Sequence, residues 1–147
     1  MKGFASDNYA GVLPEVMEAL RSANEAHAVS YGSDLLTQRV QRLFCEIFET
    51  EVDVLFVFNG TGANVLSISS AVESFCSVLC ADVSHFYNDE STAPECFTGC
   101  RFIPVPTNGA GKMEPGALEK KIIRKGDIHF AQPKIISVTQ STEYGTV

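Results

Sequence analysis

Residues 52–64, VDVLFVFNGTGAN, join a β-branched and aromatic run to a short glycine-containing segment, and this stretch decides the fold that we expect. Such a run is typical of a strand that is covered on both faces, as in a parallel sheet. The run predicts a strand over 52–58, and the next apolar residues predict a helix over 62–73. The Asn59-Gly60-Thr61-Gly62 segment then forms the turn at the carboxyl end of the strand.

The rest of the chain alternates between short apolar runs and amphipathic stretches. Further helices are predicted over 14–24, 89–97 and 114–124. Another helix is expected after Asp34, which would cap it, with apolar positions from 35 to 48. Further strands are predicted over 77–81, 101–105 and 133–139. Strands and helices alternate at the spacing of βαβ units. We therefore expect an α/β fold, a mostly parallel sheet with helices on both faces.

Composition and charge exclude several classes of protein. The chain has 147 residues, of which 45% are hydrophobic, and this is an ordinary globular composition. Eleven Lys+Arg against eighteen Asp+Glu give a net charge of −7 without a basic stripe, so we expect no nucleic-acid partner. No apolar stretch approaches the roughly 20 residues that span a bilayer, and residues 1–7 lack the apolar core of a signal peptide. We expect a cytoplasmic protein with no membrane partner.

The five cysteines are odd in number and include two pairs at C-x3-C spacing, Cys76/Cys80 and Cys96/Cys100. A zinc site needs about four converging ligands, and His85 is the only histidine nearby. Buried, reduced thiols are therefore expected rather than a metal site.

The last predicted strand is followed by polar residues 140–147. Four strands with an open apolar edge would make a poor separate domain. The sequence therefore predicts one domain piece over 1–147, the front portion of a larger fold.

The turn after the first predicted strand has two interpretations. Glycines at the carboxyl end of a strand, followed by a helix N-terminus, could hold a phosphate with backbone N–H groups, and Thr61 would add a hydroxyl donor. The alternative is a plain tight turn in which Thr61 caps the helix. The motif lacks the further glycine or lysine of the common phosphate loops, so local sequence leaves both open.

His85 follows the second predicted strand, at the edge of the sheet where open α/β folds bind ligands. It could stack on a planar cofactor ring or move protons near neutral pH, or it could be a surface histidine. Asp89 and Glu90 could orient its imidazole ring or cap a helix. Three other candidates, His27, His129 and Lys134, are expected to be structural or to face solvent.

In order along the chain, these segments resemble the large domain of the threonine aldolase family, which are fold-type I pyridoxal-phosphate enzymes related to the aromatic β-eliminating lyases. The matching stretches cover essentially the whole chain: 4–9 (FASDNY), Tyr31-Gly32, 56–64 (FVFNGTGAN), Ser84-His85, Asp89-Glu90, 93–95 (APE), 97–100 (FTGC), 103–106 (IPVP) and 140–143 (QSTE). The details FNGTGAN, APE-x-FTGC and TQSTE are most similar to the phenylserine aldolase branch.

The resemblance implies retro-aldol cleavage of a β-hydroxy-α-amino acid to glycine and an aldehyde, with pyridoxal 5'-phosphate as cofactor. Gly60 and Thr61 would hold the cofactor phosphate, and Asn64 would support that loop. His85 would stack on the pyridine ring and serve, with Glu90, as a catalytic residue. Glu90 would contact the substrate hydroxyl or His85, and no metal is implied.

The resemblance also implies substrate contacts and an assembly. Ser6 would help to bind the substrate carboxylate, and Tyr31 would reach the site, in a homodimer or homotetramer, from a neighbouring subunit. Phe86 stands where a polar residue often follows the stacking histidine, which would shift substrate preference. The segment TQSTEYG lacks the second histidine that many aldolases carry near the position of Thr142.

Other residues that the family uses come later than Val147: the Schiff-base lysine, the aspartate paired with the pyridine nitrogen, and the clamping arginines. The resemblance therefore implies the N-terminal portion of a large domain, truncated before the Schiff-base lysine and not expected to act alone. The alternative is an inactive piece that associates with other chains or binds phosphate. A flavodoxin-like ligand module would explain the βαβ order but not the ordered matches.

Overall fold

The computed structural model describes residues 9–147. The chain divides into two compact units, one ending at Leu55 and the other running from Phe56 to Val147, and each is described by itself. Within residues 9–147 no helix has the length and apolar character needed to cross a membrane.

The first unit contains two helices near the predicted positions, α1 (Pro14–Ala23) and α2 (Leu35–Phe48). Pro14 begins α1, where its missing N–H and fixed φ cost nothing. Asp34 caps α2 as predicted, because its Oδ1 accepts the N–H of Thr37 at 2.9 Å. The helix ends where Glu49 adopts a left-handed conformation with φ of 54°.

The predicted strand over 52–58 is wrong, since this segment has no regular secondary structure. Its backbone groups near α2 bond to helix side chains instead: the N–H of Val54 donates to Gln41 Oε1 at 3.1 Å, and the carbonyl of Val52 accepts from Gln41 Nε2. A parallel strand needs a neighbouring strand to pair its N–H and C=O groups. No strand among the described residues pairs with this segment, so its apolar composition alone cannot make it a strand.

The second unit contains the sheet and four helices. In chain order the elements are α3 (Gly60–Ser69), β1 (Cys76–Ala81), α4 (His85–Asn88), α5 (Ala93–Thr98), β2 (Arg101–Val105), α6 (Pro115–Glu119) and β3 (Gln132–Ser137). The three strands confirm the predictions over 77–81, 101–105 and 133–139 to within two residues. The helix predicted over 89–97 begins only at Ala93, because Ser91 and Thr92 take left-handed φ values of 49° and 59° just before it. The short helix α4 was not predicted. The helix predicted over 114–124 ends at Glu119.

The three strands are all parallel, in the order β2-β1-β3. Central β1 places Val78 beside Phe102 on one side and beside Ile135 on the other. All six residues of β1 are buried. The parallel sheet with intervening helices confirms the predicted α/β class.

The core of this unit lies against β1 and β2. Ile68 of α3 and Phe86 of α4 pack with Val78 and Phe102, and the rings of Phe86 and Phe102 meet edge to face with centroids 5.2 Å apart. Phe86 is thus a core residue that anchors α4. The shift in substrate preference that the resemblance implies for this position stays a prediction.

All five thiols are free, and three of them, Cys76, Cys80 and Cys100, are buried in or beside this core. Burial raises the pKa of Cys80 to about 11 and also raises that of Cys100. The thiols of Cys80 and Cys100 therefore stay protonated at neutral pH, and all three buried cysteines pack as small apolar side chains.

Candidate active site

The N-terminus of α3 presents free backbone N–H groups. Asn59 Oδ1 accepts the N–H of Gly62 at 2.8 Å, so Asn59 is the helix cap and the expectation that Thr61 caps it is wrong. In the described part of the chain, the N–H groups of Gly60 and Thr61 have no acceptor. A Cβ built on Gly60 meets no protein atom within 4 Å, so open space lies next to these donors. Free N–H groups and the positive end of the helix dipole favour an anion there.

The turn from β1 into α4 fixes His85 at the carboxyl end of the central strand. Buried Ser84 donates its hydroxyl to the carbonyl of Ala81 at 2.7 Å. The amide of Asn88 donates to the carbonyls of Asp82, at 2.8 Å, and Ser84, at 3.0 Å. These hydrogen bonds, all between residues of the turn, fix its conformation. The imidazole of His85 stays half exposed, with 56% of the side chain accessible.

A buried carboxylate joins α4 to α3. Glu90 Oε1 lies 3.0 Å from Nδ1 of His85 and accepts the side-chain N–H of Asn64 at 2.7 Å. Only 1% of the Glu90 side chain is exposed, and its other oxygen, Oε2, has no hydrogen-bond partner in the described residues. Glu90 therefore contacts the imidazole, which is one of the two roles that the sequence left open, and it caps no helix. The side chain of Asn64 donates to Glu90, and no side-chain hydrogen bond from Asn64 to residues 59–62 is present in the described part of the chain.

Two predicted substrate-binding residues lie outside this unit. Ser6 is not among the described residues, and Tyr31 belongs to the first unit, where its side chain is fully exposed. The three other candidates are exposed, as expected of surface residues: His27, His129 and Lys134.

A cavity of about 360 Å³ lies at the carboxyl ends of β1 and β3, and sequence reasoning did not find it. Its lining includes the apolar side chains of Ala81, Met113, Leu118 and Ile136, together with Thr142. The Thr142 hydroxyl donates to the carbonyl of Ala110 at 3.4 Å, which holds the last residues against the glycine-rich turn before α6. The apolar residues 135–138, IISV, are of the kind that line such a cavity. Only the sheet order shows that the strand carrying them lies next to β1 and so borders this cavity.

The fold and the cluster define the class: an α/β protein with a parallel sheet, a helix N-terminus with free N–H groups, and a histidine that contacts a buried carboxylate at the carboxyl edge. Residues 3–147 match the family described as Beta-eliminating lyase, and the chain belongs to this family.

Two curated relatives are low specificity L-threonine aldolases. The protein of Pseudomonas sp. (strain NCIMB 10558) is 41% identical over 145 residues, which is 98% of this chain and 42% of that protein. The protein of Pseudomonas aeruginosa is 39% identical over 144 residues, with the same two coverages. The chain thus spans about two fifths of the length of the relatives that it matches, and its resemblance to threonine aldolases is confirmed.

A solved structure of Leishmania major threonine aldolase has the same fold. The two superpose with a TM-score of 0.83 at 25% identity, over 91% of this chain and 39% of that one. The expected fold-type I architecture of this portion is confirmed by that similarity.

Proposed function

We propose that the chain is the N-terminal portion of the large domain of a pyridoxal-phosphate-dependent aldolase. This enzyme would cleave a β-hydroxy-α-amino acid of the threonine or phenylserine type to glycine and an aldehyde. The observation that carries the proposal is the joint contact of His85 and Asn64 with one buried oxygen of Glu90, in a chain of this family. Burying a carboxylate costs free energy unless hydrogen bonds compensate for the lost water, and Glu90 has such contacts with both side chains.

The residues present fit the cofactor that the family implies. The free N–H groups of Gly60 and Thr61, with open space beside them, suit the phosphate group. The half-exposed ring of His85 is able to stack on a flat heteroaromatic ring. When bound, the cofactor would supply the electron sink for cleavage of the Cα–Cβ bond.

The chain's own residues would then orient the reactants and hold protons. With Nδ1 facing Glu90, His85 keeps Nε2 for a second partner, where it can accept or donate a proton near neutral pH. Glu90 holds the ring in that orientation. Ser6 would bind the substrate carboxylate, and Tyr31 would approach from another subunit of a homodimer or homotetramer in the cytoplasm.

A second candidate function is association without catalysis, in which the chain pairs with other copies or binds phosphate only. The observation that favours it is the exposure of large apolar side chains in two segments, the apolar positions of α2 and residues 55–58. Contiguous exposed apolar surface marks interaction sites.

The test places residues 1–147 of this sequence in the matching region of the Pseudomonas sp. aldolase. The chimera is incubated with pyridoxal phosphate and L-threonine or L-phenylserine, and glycine is measured by mass spectrometry. We expect glycine release by the chimera, a loss of roughly 10²-fold or more in His85→Asn, and unchanged release in the control His129→Asn.

The chain alone, with cofactor and substrate, is expected to release no glycine. A chimera that is folded by circular dichroism and yellow with cofactor, yet releases no glycine, would overturn the aldolase proposal. Such a result would leave the association function as the better account.

A further inference from the structure

We propose that Asn64 is a positioning residue that decides which ring nitrogen of His85 carries the hydrogen. It does so through Glu90, which receives both side chains on one oxygen. The effect of this inference on catalysis rests on the proposed function. The contacts of Asn64 and the experiment that tests them do not depend on that function.

Among the described residues, the carboxylate of Glu90 has two side-chain polar contacts, and both are made by the same oxygen. Oε1 accepts from Asn64 at 2.7 Å and faces His85 Nδ1 at 3.0 Å, whereas Oε2 is buried without a partner in the described part of the chain. Rotation about the last side-chain bond of a glutamate is broad and nearly two-fold. Asn64 is therefore the contact that keeps Oε1 pointed at the imidazole.

Asn64 can do this because α3 fixes its position. The helix is capped by Asn59 at one end, and Ile68 anchors the other end in the core. His85 is a weaker restraint on the carboxylate than Asn64, since more than half of its side chain is exposed to solvent. The helix therefore fixes the position of Asn64, Asn64 orients the carboxylate of Glu90, and the carboxylate orients the ring of His85.

The consequence is a fixed tautomer. A carboxylate oxygen accepts only, so the facing Nδ1 must carry the hydrogen, and Nε2 of the neutral ring is left as an acceptor. Asn64 lies one helical turn after Gly60, on the same side of α3. One helix therefore carries both the anion-binding N–H groups and the restraint on His85.

The experiment measures the ¹⁵N chemical shifts of the imidazole nitrogens above pH 8 in labelled protein, where neutral histidine shows one protonated and one unprotonated nitrogen. The exposed His27 and His129 serve as internal references in the same spectrum. Wild-type His85 is expected to be mainly the Nδ1–H form. In Asn64→Leu, the ratio of Nδ1–H to Nε2–H is expected to fall about 2- to 12-fold, the change that corresponds to one hydrogen bond of about 0.5–1.5 kcal/mol.

The matched control is Asn24→Leu, the same replacement at an exposed asparagine after α1, which should leave His85 unchanged. Glu90→Leu should bring His85 to the ratio of the exposed references. If Asn64→Leu proves unfolded by circular dichroism, Asn64→Ala makes the same test with a smaller side chain.

Two results would overturn the inference: a wild-type His85 in the Nε2–H form, or an Asn64 variant that is folded and has the wild-type ratio. Neither result depends on catalysis. An inactive chimera with the tautomer effect intact would reject the aldolase proposal alone, and an active chimera without the effect would reject the inference alone.

Discussion

Replacing Gly60 by alanine tests the phosphate site without disturbing the fold. A Cβ at this position meets no protein atom within 4 Å, and the backbone is not in the left-handed region where alanine is strained. Alanine also favours helix over glycine by up to about 0.5–1 kcal/mol, so the variant should be at least as stable as wild type. Any loss of ligand affinity in this variant must therefore come from a clash between the new methyl group and a ligand in the open space.

The expected loss follows from the contact that the new methyl group would displace. A hydrogen bond to a charged partner contributes about 1.5–3 kcal/mol, and each 1.4 kcal/mol is tenfold in affinity. Gly60→Ala should weaken binding of a phosphorylated ligand roughly 10- to 150-fold.

The assay is equilibrium dialysis with pyridoxine phosphate, which cannot react with lysines because it lacks the aldehyde, and with pyridoxine as the ligand without phosphate. The matched control is Gly116→Ala in α6, since a Cβ there also meets nothing within 4 Å. Equal affinity of wild type, Gly60→Ala and Gly116→Ala for pyridoxine phosphate would refute the assignment of this turn to phosphate. Stability is followed in parallel by guanidinium unfolding.

Two further measurements follow from the pKa shifts. Hydrogen bonds from the Thr37 side chain and backbone lower the pKa of the Asp34 carboxyl, so the capping contribution is present above the unfolded pKa near 4 and is lost as pH falls through the lowered value. Helix content by circular dichroism should drop below about pH 4 in wild type and stay flatter in Asp34→Asn; identical pH profiles would contradict the cap's role. Burial raises the pKa of Cys80 to about 11, whereas Cys96 is exposed, so iodoacetamide at pH 8 should alkylate Cys96 first and reach Cys80 only after unfolding. Peptide mass spectrometry reads the order, and early labelling of Cys80 would show that β1 opens readily.

Local pattern predicted the elements whose residues decide their own conformation. The Asp34 cap and the apolar spacing after it predicted α2, and the β-branched and apolar residues at 101–105 and 133–139 predicted β2 and β3. The same reasoning failed at 52–58, because pairing with another strand is a long-range contact that composition does not encode. It also failed over 89–92, where two left-handed residues delay the start of the predicted helix to Ala93.

Some features of the candidate site were also predictable from local sequence, and others were not. The spacing of glycines after an apolar run was enough to suggest an anion site at α3, and the position after a strand was enough to single out His85. The sequence left two roles open for Glu90, and it assigned Asn64 to the phosphate turn. Asn64 and Glu90 are 26 positions apart, and only packing of α3 beside the segment after α4 brings their side chains to 2.7 Å.

By itself, then, the sequence indicated the α/β class through periodicity and caps, which are local properties of the chain. Its ordered motifs indicated the family and the candidate site residues. The tertiary structure decided which of those residues touch. The contact of Asn64 and His85 with one Glu90 oxygen depends on the burial of a carboxylate between two helices. Burial and side-chain distance are properties of the packed molecule, and no local pattern specifies them.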